Sequence, residues 1–315
     1  IPTKALLKNA ELYQTLNKKA STFGLKFDNL SYDWSTVIGR SRQVSDRLAG
    51  GIEFLFKKNK VDYIRGLGAI QDSNHVEVTS SDGSKQMIEG SNILIATGCK
   101  SRELPPLPFN GKSVISSKEA MAPATQPKEM IIIGAGAIGV EFAYIYNAFG
   151  TKVTIVEMLP NLLPVEDTEI GQELQSSFTK QGVKCLTNTK CVNFHDNGDS
   201  VSIDIEGPNG SDTINADVCL VAIGVAPVLP GGEQPALDDR GFIQVGDRYE
   251  TSIANVYACG DISGPPWLAH TASFEAIKLV EGLFVDGHIP RKVGNFPGCT
   301  YCHPQVASVG KTERA

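Results

Sequence analysis

Apolar positions recur at two periods along the chain, and the switches between them mark its elements. Ala5, Leu6, Ala10, Leu12, Tyr13 and Leu16 fall at helical spacing between Pro2 and Gly24, which predicts a helix with Pro at its start and Gly at its stop. A second helix is predicted from Asp33 to about Asn59, carried by Val37, Val44, Leu48, Ile52 and Leu55, with Lys57 and Lys58 suiting its C-terminus. From Val61 the pattern becomes strand-like over 61–70, 75–79 and a stretch before Ser91, with Asp82-Gly83 as a hairpin turn. Buried strands are predicted at 92–98, 130–133, 153–156 and 218–224, and further strands at 183–194 and 201–205. Helical patterns cover 137–149, 167–182 and about 271–284, and short strands are predicted at 240–245 and 255–261. No tandem repeat or low-complexity tract interrupts this order.

One stretch organises the rest. The apolar run Met130-Ile131-Ile132-Ile133 ends at Gly134-Ala135-Gly136-Ala137-Ile138-Gly139, a helix follows, and a second run, Val153 to Val156, is closed by Glu157. Strand, glycine turn, helix, strand and acid together form a dinucleotide-binding fingerprint. Gly134 suits the tight turn out of the strand. Gly136, with no Cβ, lets the backbone approach a pyrophosphate at the helix N-terminus, where N–H groups and the helix dipole favour anions. Gly139 permits close packing of helix on strand, and Glu157 can accept hydrogen bonds from a ribose diol. No Lys or Arg lies between Glu157 and Lys180 to neutralise a 2′-phosphate, so the expected nucleotide is NAD(H) rather than NADP(H).

Composition narrows the class. The 315 residues are 41% hydrophobic with 31 glycines, which suits a two-domain α/β protein rich in turns. The net charge of −6 and the lack of a basic block argue against a nucleic-acid partner. No apolar run reaches the ~20 residues of a membrane span. Seven scattered cysteines, an odd number, fit a reducing compartment, so a cytoplasmic location, or a mitochondrial matrix in a eukaryote, is expected. The glycine-turn unit sits between two further alternating stretches, so 1–115 and 240–287 are read as one domain interrupted by another, with proline-rich connectors at 105–108 and 227–232.

The chain resembles the dihydrolipoamide dehydrogenase branch of the pyridine nucleotide–disulfide oxidoreductase family over essentially its whole length. The residues that carry this are Ile-Pro-Thr-Lys-Ala-Leu-Leu at 1–7, Ile-Ala-Thr-Gly at 95–98, Gly-Ala-Gly-Ala-Ile-Gly-Val-Glu at 134–141 and Val-Glu-Met at 156–158. Val-Ala-Ile-Gly at 221–224, Ala-Cys-Gly-Asp-Ile at 258–262 and Leu-Ala-His at 268–270 complete the series. The resemblance implies an α/β fold of two Rossmann-like nucleotide-binding domains: an NAD domain at 117–239 inserted in a partial FAD domain at 1–116 and 240–287. Residues 288–315 would then open a C-terminal dimerisation domain. It further implies FAD and NAD as cofactors, oxidation of protein-bound dihydrolipoamide by NAD⁺, a homodimer, and lipoyl domains of 2-oxoacid dehydrogenase complexes or the glycine cleavage system as partners.

Matched residue by residue, the resemblance places Lys4 beside the flavin and pairs it with Glu141, and a cation there stabilises negative charge on a reduced ring. Gly68, Thr97, Gly98, Asp261, Ala269 and His270 match flavin-side positions, Asp261 holding the ribityl chain. Gly134, Ala135, Gly136, Ala137, Ile138, Gly139, Glu157, Cys191, Ala222, Gly224 and Val225 match the NAD side. Val225 departs from the arginine common in the family.

In the family a Cys-x4-Cys redox pair and a first FAD-binding βαβ precede the Ile-Pro-x-Lys segment, and a His–Glu base lies in the dimerisation domain. The expectation is therefore a fragment lacking both ends, inactive by itself, in which Lys4 and Glu141 are what the sequence holds of the catalytic set. Cys299-x2-Cys302-His303 matches the pattern for haem attachment or half a zinc site. It is read here as two incidental cysteines in a strand, with no metal assigned. His270 is given no proton-transfer role. Three rival readings stand beside the main one: a non-catalytic NAD-binding module, another NADH-using flavin disulfide reductase, and a diaphorase.

Overall fold

A computed structural model of the protein describes residues 2–290, 292 and 294–313. Ile1, which opens the Ile-Pro-Thr-Lys motif, and Arg314 and Ala315 lie outside the described residues. Contacts divide the chain into two compact units.

The first unit contains the residues up to Lys58, Ser101–Gly224 and the segment from Cys299. Helix α1 (Pro2–Lys19) starts on Pro2, whose missing N–H costs nothing at a first turn, and runs into a 3₁₀ turn ended by Gly24 at φ +72°. Helix α2 (Trp34–Lys58) is capped by Asp33, whose Oδ1 accepts the backbone N–H of Ser35 at 2.8 Å. Strands β1 (Val114–Ile115), β2 (Glu129–Ile133), β3 (Lys152–Val156) and β4 (Lys184–Leu186) follow, with helix α3 (Ala137–Ala148) between β2 and β3 and helix α4 (Thr168–Gln181) between β3 and β4. An antiparallel meander of β5 (Lys190–Asp196), β6 (Val201–Gly207) and β7 (Gly210–Ala216) leads into β8 (Val218–Val221). The main sheet is parallel throughout, in the order β1-β8-β2-β3-β4.

Parallel strands covered on both faces read as continuous apolar runs, and β2 is such a run, Met130 to Ile133 being buried. Helix α3 is buried from Gly139 to Tyr146 because sheet and α1 cover it from different sides. Phe142, Tyr144, Tyr146 and Ile145 fill this layer, each worth roughly 1.5–3 kcal/mol of burial. Tyr13, Tyr32, Trp34 and Phe149 form an aromatic cluster that joins α1 and α2 to the end of α3.

The second unit comprises Asn59–Lys100 and Val225–Gly298. Strands Leu67–Ile70, His75–Thr79 and Lys85–Glu89 form an antiparallel meander, extended by Gly231–Gly232 in parallel beside Ala69 and Ile70. A parallel pair, Ile93–Ile95 with Val256–Ala258, carries a small core of Ile70, Ile95, Ile243, Val256, Ala258 and Ile262. Helix α5 (Ala269–Phe284) packs on the 3₁₀ turn Gly260–Ser263, where buried Glu275 accepts the N–H of Gly260 at 2.8 Å.

The chain thus has the α/β, Rossmann-like architecture expected of it, with several local corrections. The strand expected over 61–70 exists only from Leu67, and the stretch 183–194 is two strands in two different sheets. Residues 240–245 form no strand. Phe242 and Ile243 are buried there, but the link to Leu237 is a single bridge. Along α2 the expected apolar stripe faces the core only in its first half, and Leu48, Ile52 and Leu55 are exposed. Strand β7 was not foreseen. The sequence division at 116, 239 and 287 follows motif order, whereas the two units follow packing and group α1 and α2 with the main sheet.

Candidate functional site: a glycine turn and a lysine–glutamate pair

Strand β2 delivers the chain to the glycine turn, and backbone geometry shows what each glycine does there. Gly134 has φ +101°, and a Cβ on it would lie 2.5 Å from the carbonyl oxygen of Ala222. A Cβ on Gly139 would lie 2.0 Å from the carbonyl oxygen of Gly134, so helix and turn are in contact through that hydrogen. Gly136 differs: it caps α3 in an extended conformation, and a Cβ on it would meet nothing within 4 Å. Space is thus left beside the first N–H groups of α3, a buried helix whose dipole points its positive end there.

Glu157, 9% exposed, closes this turn. Its Oε2 accepts the N–H of Ala135 at 2.7 Å and its Oε1 that of Leu159 at 2.8 Å. Each carboxylate oxygen keeps further acceptor capacity for a ribose hydroxyl. Ala222 donates its N–H to Ile133 at 2.8 Å, and Gly224 turns with φ +104° just before Val225. Cys191 lies on β5 and packs into the core shared by Ile133, Val156 and Ile223, below the turn. Burial pushes its thiol up to about 11. Gly134 to Gly139, Glu157, Ala222 and Gly224 therefore follow the C-terminal ends of β2, β3 and β8, the usual ligand edge of a parallel sheet, with Cys191 packed against the same core from β5, whereas Val225 belongs to the second unit.

Lys4 and Glu141 are 137 positions apart and meet. The Lys4 ammonium donates to both carboxylate oxygens, at 2.5 and 2.7 Å, with Glu141 buried on α3 and Lys4 half exposed on α1. A third participant was not anticipated: the backbone N–H of Tyr301 donates to Glu141 Oε1 at 2.9 Å, and its ring centroid lies 4.6 Å from Lys4 Nζ. Local sequence carries no signal for a contact 160 residues away.

In the second unit Gly68 lies in the strand Leu67–Ile70. Thr97 and Gly98 follow Ile93–Ile95, with Gly98 at φ +70°. Asp261 lies in the 3₁₀ turn after the parallel partner strand, and burial raises its carboxyl. Its carbonyl accepts the Cys99 thiol at 3.3 Å. Ala269 and His270 open α5, where the buried hydroxyl of Thr271 has no hydrogen-bond partner among the described residues. An unmatched buried donor at a helix start and a left-handed glycine after a strand suit an oxygen-rich ligand. His270 Nε2 lies 2.9 Å from the carbonyl of Pro297, which occupies that ring nitrogen. Of the Cys-x2-Cys-His segment, Cys299 lies in a strand but buried Cys302 lies beyond it, its thiol donating to the Pro304 carbonyl at 3.2 Å. No cluster of three metal-ligating side chains occurs among the described residues.

The model of the pyridine nucleotide-disulphide oxidoreductase family matches residues 1–276. The chain belongs to this family. It is 39% identical to the dihydrolipoyl dehydrogenase of Zymomonas mobilis over 99% of its length and 41% identical to that of Chlorobaculum parvum over all of it, spanning 68% of each relative. Its fold matches LpdA of Mycobacterium tuberculosis with a TM-score of 0.90 at 23% identity, covering 100% of this chain and 69% of that one. These oxidoreductases use FAD and NAD, which the glycine turn and the second unit's strand ends fit. No helix among the described residues is long and apolar enough to cross a membrane.

Proposed function

We propose that this chain serves the FAD-dependent oxidation of protein-bound dihydrolipoamide with NAD⁺ as acceptor. The carrying observation is whole-length similarity to dihydrolipoyl dehydrogenases, with Lys4, Glu141 and Glu157 in the contacts described above. FAD, when bound, supplies two-electron transfer between a dithiol and the nicotinamide. By the family resemblance Lys4, held on Glu141, would set a cation beside that group, and Gly68, Thr97, Gly98, Asp261, Ala269 and His270 would give it backbone and carboxylate contacts. The nucleotide side is formed by Gly134 to Gly139, Glu157, Cys191, Ala222, Gly224 and Val225, where Gly136 leaves room for a pyrophosphate and Glu157 orients a ribose. In this reading 117–239 is the NAD domain, 1–116 and 240–287 belong to the FAD domain, and 288–315 to a dimerisation domain. Lipoyl domains of 2-oxoacid dehydrogenase complexes or of the glycine cleavage system are the partners, in the cytoplasm or a mitochondrial matrix.

The 315 residues contain no Cys-x4-Cys pair. The polypeptide by itself is expected to form no NADH from dihydrolipoamide. Joined to the complementary segments of the Zymomonas mobilis relative, it is expected to restore that reaction. Restoration with another disulfide substrate but not with dihydrolipoamide would move the chain to a different branch of the family. NADH binding without flavin in any preparation would favour the non-catalytic module.

A further inference from the structure

We propose that Tyr301 is a positioning residue for the Lys4–Glu141 pair, its ring a platform for the ammonium and its backbone N–H a clamp on the carboxylate. Glu141 is held in a helix buried nearly all round, so its carboxylate has a fixed address. Lys4 has no such constraint. Its side chain is 47% exposed and has four rotatable bonds, and one ion pair alone would leave it mobile near water. The Tyr301 ring closes that freedom from the other side, at 4.6 Å from Nζ, within cation–π range.

The support under Tyr301 is firm while Tyr301 itself is open. Thr300 and Cys302, its two neighbours, are 5% and 1% exposed, and Gln181 Nε2 on α4 donates to the His303 carbonyl at 2.9 Å. Tyr301 is 44% exposed, so its ring contributes little to the core; its hydroxyl meets Cys299 and its ring meets Lys4. Lys4 and Tyr301 border a cleft of about 790 Å³ that Tyr144, Cys302 and His303 also line. The arrangement holds a cation at the wall of an open cleft in one orientation. That this cation serves a flavin rests on the function proposed above; the platform itself does not.

The test is site-resolved acylation of lysines in the purified full chain, read by mass spectrometry. Tyr301→Leu keeps the backbone donor and removes the ring, and is expected to raise the labelling rate of Lys4 roughly three- to tenfold, as loss of the cation–π contact uncovers the amine. Tyr301→Phe is expected to label like the parent, and Lys8 in the same cleft serves as the internal reference. Equal Lys4 labelling in the parent and Tyr301→Leu, with unchanged circular dichroism, overturns the proposal. A rise at every lysine would mean unfolding rather than a lost platform, and would overturn it too. In chain that retains FAD, Tyr301→Leu is further expected to make the flavin about tenfold harder to reduce, or about 30 mV more negative. An unmoved potential alongside raised Lys4 labelling keeps the platform and removes the flavin assignment of Lys4.

Discussion

Glu157 Oε2 accepts the backbone N–H of Ala135 at 2.7 Å, which ties the end of one strand to the glycine turn at the end of another. The carboxylate is thereby a structural clamp that still has acceptor capacity for a ligand hydroxyl.

Those two roles separate on substitution. Glu157→Gln keeps the shape and one of the two backbone contacts, leaves the other N–H facing an amide NH2, and loses the charge that repels a 2′-phosphate. NADH binding is expected to weaken about threefold to tenfold, and the preference over NADPH to shrink. Glu157→Ala leaves two backbone donors without a partner and is expected to cost about 2–4 kcal/mol of stability as well. Fluorescence titration with both nucleotides and thermal melting check this; an unchanged NADH-to-NADPH ratio in Glu157→Gln contradicts it.

Two glycines in the same turn are expected to fail differently. Gly139→Ala drives a Cβ to 2.0 Å from a backbone oxygen and should destabilise the first unit by about 3 kcal/mol or more. Gly136→Ala meets no protein atom and should melt within about 0.5 kcal/mol of the parent, yet bind NADH about tenfold more weakly. Denaturant melts paired with nucleotide titration distinguish the two, and parent-like NADH binding by Gly136→Ala would show that the space beside it is not used.

Removing Lys4 strands a buried carboxylate. A fully buried pair broken this way costs about 3–5 kcal/mol, but half the lysine is in water and Tyr301 still donates to Glu141. Lys4→Met is therefore expected to cost about 1–2 kcal/mol, and the double change with Glu141→Gln less than the sum of the two single ones. A denaturant-based double-mutant cycle measures the coupling; strict additivity would mean that the pair contributes nothing.

Several thiols make the fold sensitive to alkali. Burial pushes Cys185 and Cys302 up to about 12 and Cys191 up to about 11, from an ordinary 9.0. Below pH 9 both folded and unfolded chains keep these thiols protonated, and their contribution is fully present. Between pH 9 and about 11–12 the unfolded chain ionises first, so stability is expected to fall as pH rises. Cys302→Ala should flatten that slope, and alkylation below pH 9 should be slow at all three sites. A stability curve flat to pH 11 would contradict the assignment.

The glycine turn was legible because its contacts are short-range: Gly134 and Gly139 meet within five residues, and the flanking runs Met130–Ile133 and Val153–Val156 declare buried parallel strands. Elsewhere propensity and pairing part company. Val61, Tyr63 and Ile64 favour strand, yet all three are exposed and lie outside any strand. Phe242 and Ile243 are buried as their pattern implies, but their N–H groups go to Asp238 and Ile262 rather than to a neighbouring strand. Strand β7 reads as a polar loop through Ser211, Asp212 and Thr213, and exists because β6 offers it an edge with Ile214 and Ala216 turned into the core. Lys4 and Glu141 were found by family resemblance. Tyr301 had no such cue, since it contributes a backbone N–H that no side-chain pattern encodes and a ring contact with the opposite end of the sequence.

Among the described residues, the segment from Cys299 ties itself back to the middle of the chain by four hydrogen bonds: Tyr301 to Glu141, His303 to Gln181, Ser308 to Glu166 and Glu313 to Asp167. During synthesis the nucleotide sheet is complete at Val221, almost eighty residues before this strap is made. A nascent chain therefore carries the partners Lys4 and Glu141 well before Tyr301 is made, and the clamp on that pair closes only after the sheet can form.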